Sequence, residues 1–175
     1  MRYLVKSIVF CLLFVCQQAL AGSATGTLSV IATINQSCIV GVGTGGTGVA
    51  SSFINFGVYD PTSAAATSAT STAPGITVTC SPGINYHVAL DQGANGSSVT
   101  ARQMKLTTGA GLLNYALFRD AARTQNWGQT AGTDTNDDTA SGLPKFYNVY
   151  GQIAPGQSTA PAGIYSDTVG ITVSY

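Results

Sequence analysis

Short segments in which apolar and polar residues alternate recur along most of this chain, and they constrain its fold more than any other feature. These segments are residues 27–34, 38–42, 54–58, 75–80, 84–90, 113–118, 146–153 and 168–175. Alternation with a period of two is typical of strands that bury one face, and turns rich in Gly, Ser, Asn and Pro separate the segments. The pattern predicts an all-β chain arranged as a sandwich of two sheets.

The first residues have the composition of an export signal. Arg2 and Lys6 accompany an apolar run at 7–16, and the small residues at 19–21 form a cleavage signal. This run is too short to span a bilayer, so residues 1–21 are predicted to be a secretory signal peptide rather than an anchor. An uncleaved N-terminal helix is the alternative. Removal of the signal leaves a mature chain whose length suits one domain with its own core.

Two cysteines, Cys38 and Cys80, remain in the predicted mature chain. Each lies on the apolar face of its predicted strand, and an isolated pair in an exported chain is typical of a disulfide. On the chain-entropy account, closing a loop of this length stabilises the fold by about 4 kcal/mol. Two unpaired buried thiols are the alternative.

Few residues suggest catalysis or metal binding. His87 is the only histidine, it is predicted to face solvent, and no nucleophile and acid are arranged around it in the sequence. The acidic stretch 134–138 is excluded as an EF-hand loop, because Thr139 and Lys145 stand where that loop needs Gly and Glu. An irregular calcium site and a solvated acidic loop remain as alternatives. We therefore predict no enzyme activity, no catalytic residues, no metal and no cofactor.

Charge and the remaining segments narrow the prediction further. Lys and Arg together number 7, as do Asp and Glu, and no basic patch indicates a nucleic-acid partner. Trp127, the only tryptophan, is predicted to pack over the core, with an exposed anchor for a partner as the alternative. The weakly polar loops 43–52 and 61–74 are interpreted as flexible linkers, although the second could contain an extended edge segment.

The two ends of the mature chain carry complementary features. The C-terminal strand has an apolar face formed by Val169, Ile171, Val173 and Tyr175. Because no neighbouring strand follows it, we expect it to leave an open backbone edge and an apolar groove. Residues 24–34 supply a spare strand near the other end. Its apolar face is formed by Leu28, Val30, Ala32 and Ile34.

Several stretches of the chain resemble the spore-coat-U-domain family, whose members include subunits of Csu-type pili assembled by the archaic chaperone–usher pathway. These stretches are CIVG, INFGVYDP, ITVTCSPGINYHVALDQG, RQMKL, LNYALFRDAARTQNWG and GIYSDTVGITVSY. They occur in the same order as in the family and cover nearly the whole mature chain. The most specific are LNYALFRDAARTQNWG and GIYSDTVGITVSY.

The resemblance implies an incomplete immunoglobulin-like β-sandwich, a pilin fold that lacks its last strand, at residues 37–175. It also implies that residues 22–36 form a donor strand that fills the groove of the next subunit. Carried onto this chain, Leu28, Val30, Ala32 and Ile34 become the donor side chains. The strand with Val169, Ile171, Val173 and Tyr175 becomes one wall of the acceptor groove. Cys38 and Cys80 match the bridge positions of the family.

The resemblance implies three kinds of partner: a periplasmic pilus chaperone, an outer-membrane usher and neighbouring pilus subunits. The leading interpretation is a structural fimbrial subunit that is exported through the periplasm to the cell surface. It would polymerise by donor-strand exchange into fibres for adhesion and biofilm formation. The alternative is a secreted adhesive module, a tip or coat protein that binds a carbohydrate or another surface. A secreted hydrolase is a third reading, which a pocket of titratable groups would support.

Overall fold

The computed structural model describes residues 23, 25–42, 53–71 and 75–175. The chain divides into two units, one ending at Ile34 and the other running from Asn35 to Tyr175. The described residues of the first unit form neither helix nor strand. The predicted signal peptide and the loop 43–52 lie outside the described residues. Within the described residues, no helix has the length and apolar character needed to cross a bilayer.

The described residues of the second unit form eleven strands and no helix. The strands are β1 (Cys38–Val42), β2 (Thr67–Thr70), β3 (Ile76–Cys80), β4 (Asn85–Leu90), β5 (Arg102–Leu106), β6 (Leu112–Phe118), β7 (Asn136–Thr139), β8 (Lys145–Tyr147), β9 (Tyr150–Ile153), β10 (Tyr165–Ser166) and β11 (Ile171–Ser174).

All strand pairs are antiparallel, and they form three sheets. One sheet has the order β1-β3-β8, a second has the order β10-β5-β6-β9-β2, and the third has the order β11-β4-β7. In the third sheet, β11 pairs with β4 through the register Ile171↔Leu90 and Val173↔Val88. Among the described residues, β4 is the one sheet neighbour of β11.

The apolar faces of all three sheets meet in a single core. Its buried members are Ile76, Val78, Cys80, Ile84, Tyr86, Val88, Leu90, Leu113, Tyr115, Leu117, Trp127, Val149 and Ile153. In β4 and β6 buried residues alternate with more exposed ones, as the period-two pattern predicts. The all-β sandwich expected from the sequence is therefore confirmed.

Trp127 and Arg102 are both fully buried within this core. The indole Nε1–H of Trp127 donates to the carbonyl of Val88 at 2.8 Å, so the prediction that this residue packs over the core is confirmed. The Arg102 guanidinium donates to four backbone carbonyls at 2.7–2.9 Å, which belong to Leu90, Asp91, Val99 and Trp127. A buried charge is tolerated only when such donors are satisfied, so Arg102 joins the ends of three segments.

The disulfide predicted from the sequence is present. Cys38 and Cys80 are bonded to each other, and they are directly opposite in the β1–β3 register. The alternative of two unpaired thiols is therefore wrong for this structure.

The predicted strand at 54–58 does not form. Gly57 adopts a φ of 68°, which is outside the extended region, and its N–H donates to the Asn55 side chain at 2.8 Å. This local turn replaces strand pairing, as is common for Asn two residues before Gly. Ile54 and Phe56 are half-buried, whereas Val58 is 96% exposed, so the shared face expected for all three residues is wrong for Val58.

The predicted strand at 146–153 is two strands in different sheets, β8 and β9. The break lies at Val149, whose N–H donates to the Ser71 hydroxyl and whose carbonyl accepts from the Ser71 N–H. Because its backbone groups bond Ser71, Val149 belongs to neither β8 nor β9.

The acidic stretch 134–138, for which a solvated loop is one of the two alternatives above, instead contributes residues to strand β7. The Nδ1 of His87 on β4 lies 2.8 Å from Oδ1 of Asp137 on β7, and both side chains are about one-third exposed (38% and 36%). The pKa of Asp137 is lowered, first by a hydrogen bond from Thr135 and then by His87. The possibility of an extended edge segment within 61–74 is confirmed by β2, which lies at the edge of the five-stranded sheet.

We expect Arg102→Met to lower the free energy of unfolding by about 2–4 kcal/mol, because the buried carbonyls that it satisfies lose their donors. Urea denaturation followed by Trp127 fluorescence would measure this loss. Lys105→Met is the matched control, since Lys105 lies on the same strand and is exposed, and its effect should stay within about 0.5 kcal/mol. Equal losses in the two variants would contradict the structural role of Arg102.

Candidate binding groove

The second unit contains a groove of about 460 Å³. Residues 53–56 form its first wall, and residues 165–171 form its second wall. The floor consists of side chains from the core and its margin: Ser71, Ile76, Leu90, Met104, Tyr115, Leu117 and Val149. The core side chains of this floor are almost fully buried, whereas Met104 and the apolar residues of the two walls are partly exposed. Covering these partly exposed apolar groups is favourable.

The first wall is seated on a glycine of β9. A Cβ atom added to Gly151 would lie 2.7 Å from Cζ of Phe56 and 3.2 Å from a methyl of Ile54. The side chains of Phe56 and Ile54 therefore require a residue without a side chain at position 151. The Phe56 ring also packs edge-on against Tyr115 in the floor, with a centroid distance of 6.3 Å. These contacts hold the first wall although it belongs to no sheet.

Tyr59 fixes the chain that follows the first wall. Its hydroxyl donates to the carbonyl of Ala154 at 2.9 Å and accepts from the N–H of Gln157 at 3.1 Å. The Gln157 side chain in turn bonds both the N–H and the carbonyl of Asn114 on β6, at 2.8 and 2.9 Å.

The second wall is held by the loop that follows β4. The carboxyl oxygen Oδ1 of Asp91 accepts from the N–H of Gly170 at 2.8 Å, and the Asp91 N–H donates to the Gly170 carbonyl at 3.1 Å. The N–H of Ala94 donates to the carbonyl of Thr168 at 3.0 Å. These bonds join the wall between β10 and β11 to the loop that follows β4.

Asp167 adds a second attachment from within the wall. One carboxyl oxygen accepts from the Ala94 N–H at 3.0 Å and from the Asn95 amide at 2.8 Å. The other oxygen accepts from the Tyr115 hydroxyl at 2.6 Å. Burial raises the pKa of Tyr115 far above its usual value, and the bond to Asp167 raises it further, so this hydroxyl stays protonated as a donor.

The backbone edge of the second wall that faces away from this loop is open. The bonds to the loop use Thr168 and Gly170, and successive residues of a strand direct their N–H and C=O groups to opposite edges. The intervening residues, Asp167 and Val169, therefore direct theirs to the other edge. No described segment pairs with the corresponding edge of β11. The groove thus combines an apolar floor with an unpaired strand edge.

The C-terminal residues singled out from the sequence have different positions. Val169 and Ile171 line the groove. Val173 packs against the core, and Tyr175 lies beyond the end of β11 and is 60% exposed. In the first unit, Leu28, Val30 and Ile34 are 84–89% exposed, and Ala32 is exposed as well.

Sequence reasoning missed three residues that shape the groove: Phe56, Tyr115 and Asp167. Phe56 and Tyr115 belong to the predicted strands 54–58 and 113–118, where the alternation marks them only as inward-facing residues. The available signal for Asp167 was its spacing, because it occupies the same face as Val169 and Ile171 in an otherwise apolar series. A carboxyl group at such a position requires hydrogen-bonding partners, which come from a distant loop.

The acidic residues near β7 are engaged in local bonds. Asp134 accepts from the Thr130 N–H at 2.6 Å, and Asp138 lies 3.1 Å from the Lys145 ammonium. Within the part of the chain that the structure describes, no three His, Cys, Asp or Glu side chains are grouped to hold a metal ion.

A model of the Spore Coat Protein U domain matches residues 24–172, which is most of the chain. The chain belongs to the spore coat protein U domain family. Protein U of Myxococcus xanthus is a relative, 34% identical over 163 residues, a match that covers 89% of this chain and 87% of that protein.

The spore coat protein U domain also has a counterpart among solved structures. It is similar to a chain in the crystal structure of the CsuC–CsuE chaperone–tip adhesion subunit pre-assembly complex from archaic chaperone–usher Csu pili of Acinetobacter baumannii. The TM-score is 0.53 with 22% identity, over 82% of this chain and 40% of that chain. The two chains share a fold, and this chain spans about two fifths of the other.

We expect Gly151→Ala to displace the first wall, because its methyl group would overlap the Phe56 ring. The cost should be about 1–3 kcal/mol in unfolding free energy, as for other overpacked sites, measured by urea denaturation. Gly109→Ala is the control, since its added Cβ approaches only the end of the Leu106 side chain at 3.1 Å. If both variants unfold at the same urea concentration, the seating of the first wall on Gly151 is wrong.

Proposed function

We propose that this protein is a structural pilus or coat subunit that polymerises by donor-strand exchange. In this proposal the groove of one subunit receives the N-terminal segment, residues 22–36, of the next. The main support is the combination of an apolar groove with an unpaired strand edge, in a chain whose N-terminal segment exposes Leu28, Val30 and Ile34. Strand addition uses both features, because main-chain bonds supply affinity and alternate side chains supply specificity.

The open edge argues for a strand as the occupant rather than a small molecule. An unpaired strand edge is a template for pairing with another chain, and it promotes aggregation unless it is covered. An added strand would satisfy the backbone groups of Asp167, Val169 and Ile171 while its side chains cover the floor. A compact ligand would cover the floor and leave the edge unpaired.

The apolar side chains of the segment can supply a large binding free energy. Burial of a Leu, Val or Ile side chain contributes about 1.5–3 kcal/mol, so Leu28, Val30 and Ile34 together with Ala32 give roughly 5–10 kcal/mol before ordering costs. This is comparable to the stability of a whole domain. A bond of this strength suits a permanent fibre better than a transient contact.

We propose the same kinds of partner that the resemblance implies: a periplasmic chaperone that covers the groove before assembly, an outer-membrane usher, and neighbouring subunits. Support for the chaperone comes from the similar fold found in a chaperone–tip adhesion subunit pre-assembly complex. We further propose that residues 1–21 are a signal peptide that is cleaved during export. The mature chain would then lie at the cell surface, where the fibre serves adhesion and biofilm formation.

A second candidate is an assembled coat rather than a fibre. Membership of the spore coat protein U domain family and the similarity to Protein U over 87% of its length favour it. The two candidates share the strand-addition step and differ in the form of the assembly. Electron microscopy of the surface would show filaments for the first and a continuous layer for the second.

We expect Val30→Asp combined with Ile34→Asp to abolish assembly, because two carboxylates would enter the apolar groove. The mature variant should accumulate as a monomer bound to its chaperone, with no heat-resistant multimers in gel electrophoresis. Its groove is unaltered, so it should still accept a donor strand from a wild-type subunit and terminate the polymer there.

The matched control is Ser29→Asp combined with Thr33→Asp. It adds the same charge to the same segment, but on the face that alternates with the apolar one, so assembly should proceed. Normal assembly by the Val30 and Ile34 variant would refute the donor assignment, as would equal failure of both variants.

A further inference from the structure

The second wall carries one polar position in a row of apolar ones. The half-buried alternate residues Tyr165, Asp167, Val169 and Ile171 line the groove, as do the more exposed Ser166 and Thr168 between them. The four half-buried residues form one face of the wall. A strand added beside this wall would therefore meet an apolar side chain at three positions and a carboxyl group at the fourth.

The hydrogen-bonded carboxyl group of Asp167 is an unfavourable neighbour for a large apolar side chain. Three donors already hold it, from Ala94, Asn95 and Tyr115, at 3.0, 2.8 and 2.6 Å. The Phe56 ring of the first wall packs edge-on against Tyr115, whose hydroxyl is one of these three donors. A leucine or isoleucine pressed against this group would have to displace it or strip its remaining water, and both are unfavourable.

The N-terminal segment has a matching irregularity. Its apolar face presents three large side chains, Leu28, Val30 and Ile34, and one small one, Ala32. The small residue is the third of the four positions, with two large neighbours before it and one after it.

We propose that Ala32 lies opposite Asp167 when the segment of one subunit occupies the groove of another, and that this pairing sets the register and selects the partner. The inference rests on the proposed strand exchange. It assigns Asp167 as a specificity-determining residue, and it identifies the preferred occupant as a second copy of this chain.

The pairing also determines the direction of the added strand. In the antiparallel direction, Val30 and Leu28 lie opposite Val169 and Ile171, and Ile34 lies opposite Tyr165. All three large side chains then meet apolar wall positions. In the parallel direction, Leu28 would lie opposite Gly163, which precedes the second wall and has a φ of 151°. The antiparallel register therefore covers more of the groove.

The test is a competition between peptides for the groove. The acceptor is the mature chain with Val30→Asp and Ile34→Asp, so that its own segment does not compete. It is refolded with a fluorescent peptide of residues 24–36, and unlabelled variant peptides compete for the site. Relative Kd values follow from fluorescence anisotropy.

We expect the Ala32→Leu peptide to bind at least tenfold more weakly than the wild-type peptide, although it carries more apolar surface. Ala32→Ser should stay within threefold, because it is small. Thr33→Leu is the matched control: it adds the same side chain on the opposite face and should also stay within threefold. With an Asp167→Ala acceptor, the Ala32→Leu peptide should bind as tightly as the wild-type peptide or more tightly.

The outcomes separate the two proposals. If the wild-type peptide binds and Ala32→Leu binds equally well or better, the register is overturned while strand exchange stands. If no peptide binds to the refolded acceptor, strand exchange and the register both fail. Circular dichroism checks the Asp167→Ala acceptor; should it not fold, the peptide series on the parent acceptor decides the register alone.

Discussion

The groove depends on the hydrogen bonds that join the second wall to the loop after β4 and to Tyr115. Asp91 bonds Gly170, and Asp167 bonds the 94–95 loop and Tyr115, so the wall stays extended above an apolar floor. Without these bonds, the part of the wall between β10 and β11 would lose its attachment to the loop after β4. A binding surface held open in this way needs little reorganisation when an occupant arrives, which preserves more of the binding free energy.

The same arrangement explains why an apolar groove and an open strand edge occur together. The bonds to the loop use the backbone groups of alternate residues of the wall. The backbone groups of the residues between them are directed to the open edge. The first wall, at 53–56, packs on Gly151 and Tyr115 instead of pairing with a strand. The space between the two walls is therefore bordered by apolar side chains and by an unpaired strand edge, in a fold shared with a chain of a chaperone–tip adhesion subunit complex.

Much of this fold was predictable because most strands bury one face. The alternation located β1, β3, β4, β6 and β11, and the disulfide followed from two cysteines on inward positions. Strand β5 was missed because Arg102 takes a buried position where the pattern requires an apolar residue. The wall at 53–56 was mistaken for a strand because the turn at Asn55 and Gly57 preserves the spacing of apolar residues. The roles of Asp167 and Tyr115 depend on partners more than 50 residues away in sequence, which no local pattern reveals.

The disulfide has a mechanical consequence for a subunit of the proposed kind. Cys38 begins β1, a few residues after the exposed segment that ends at Ile34, and its bond partner Cys80 ends β3, the middle strand of its sheet. Tension applied to the N-terminal segment would reach β3 through a covalent bond and not only through the ladder of β1. An edge strand under tension is usually peeled from its sheet one hydrogen bond at a time. The disulfide at Cys38, where β1 begins, would prevent this peeling from starting.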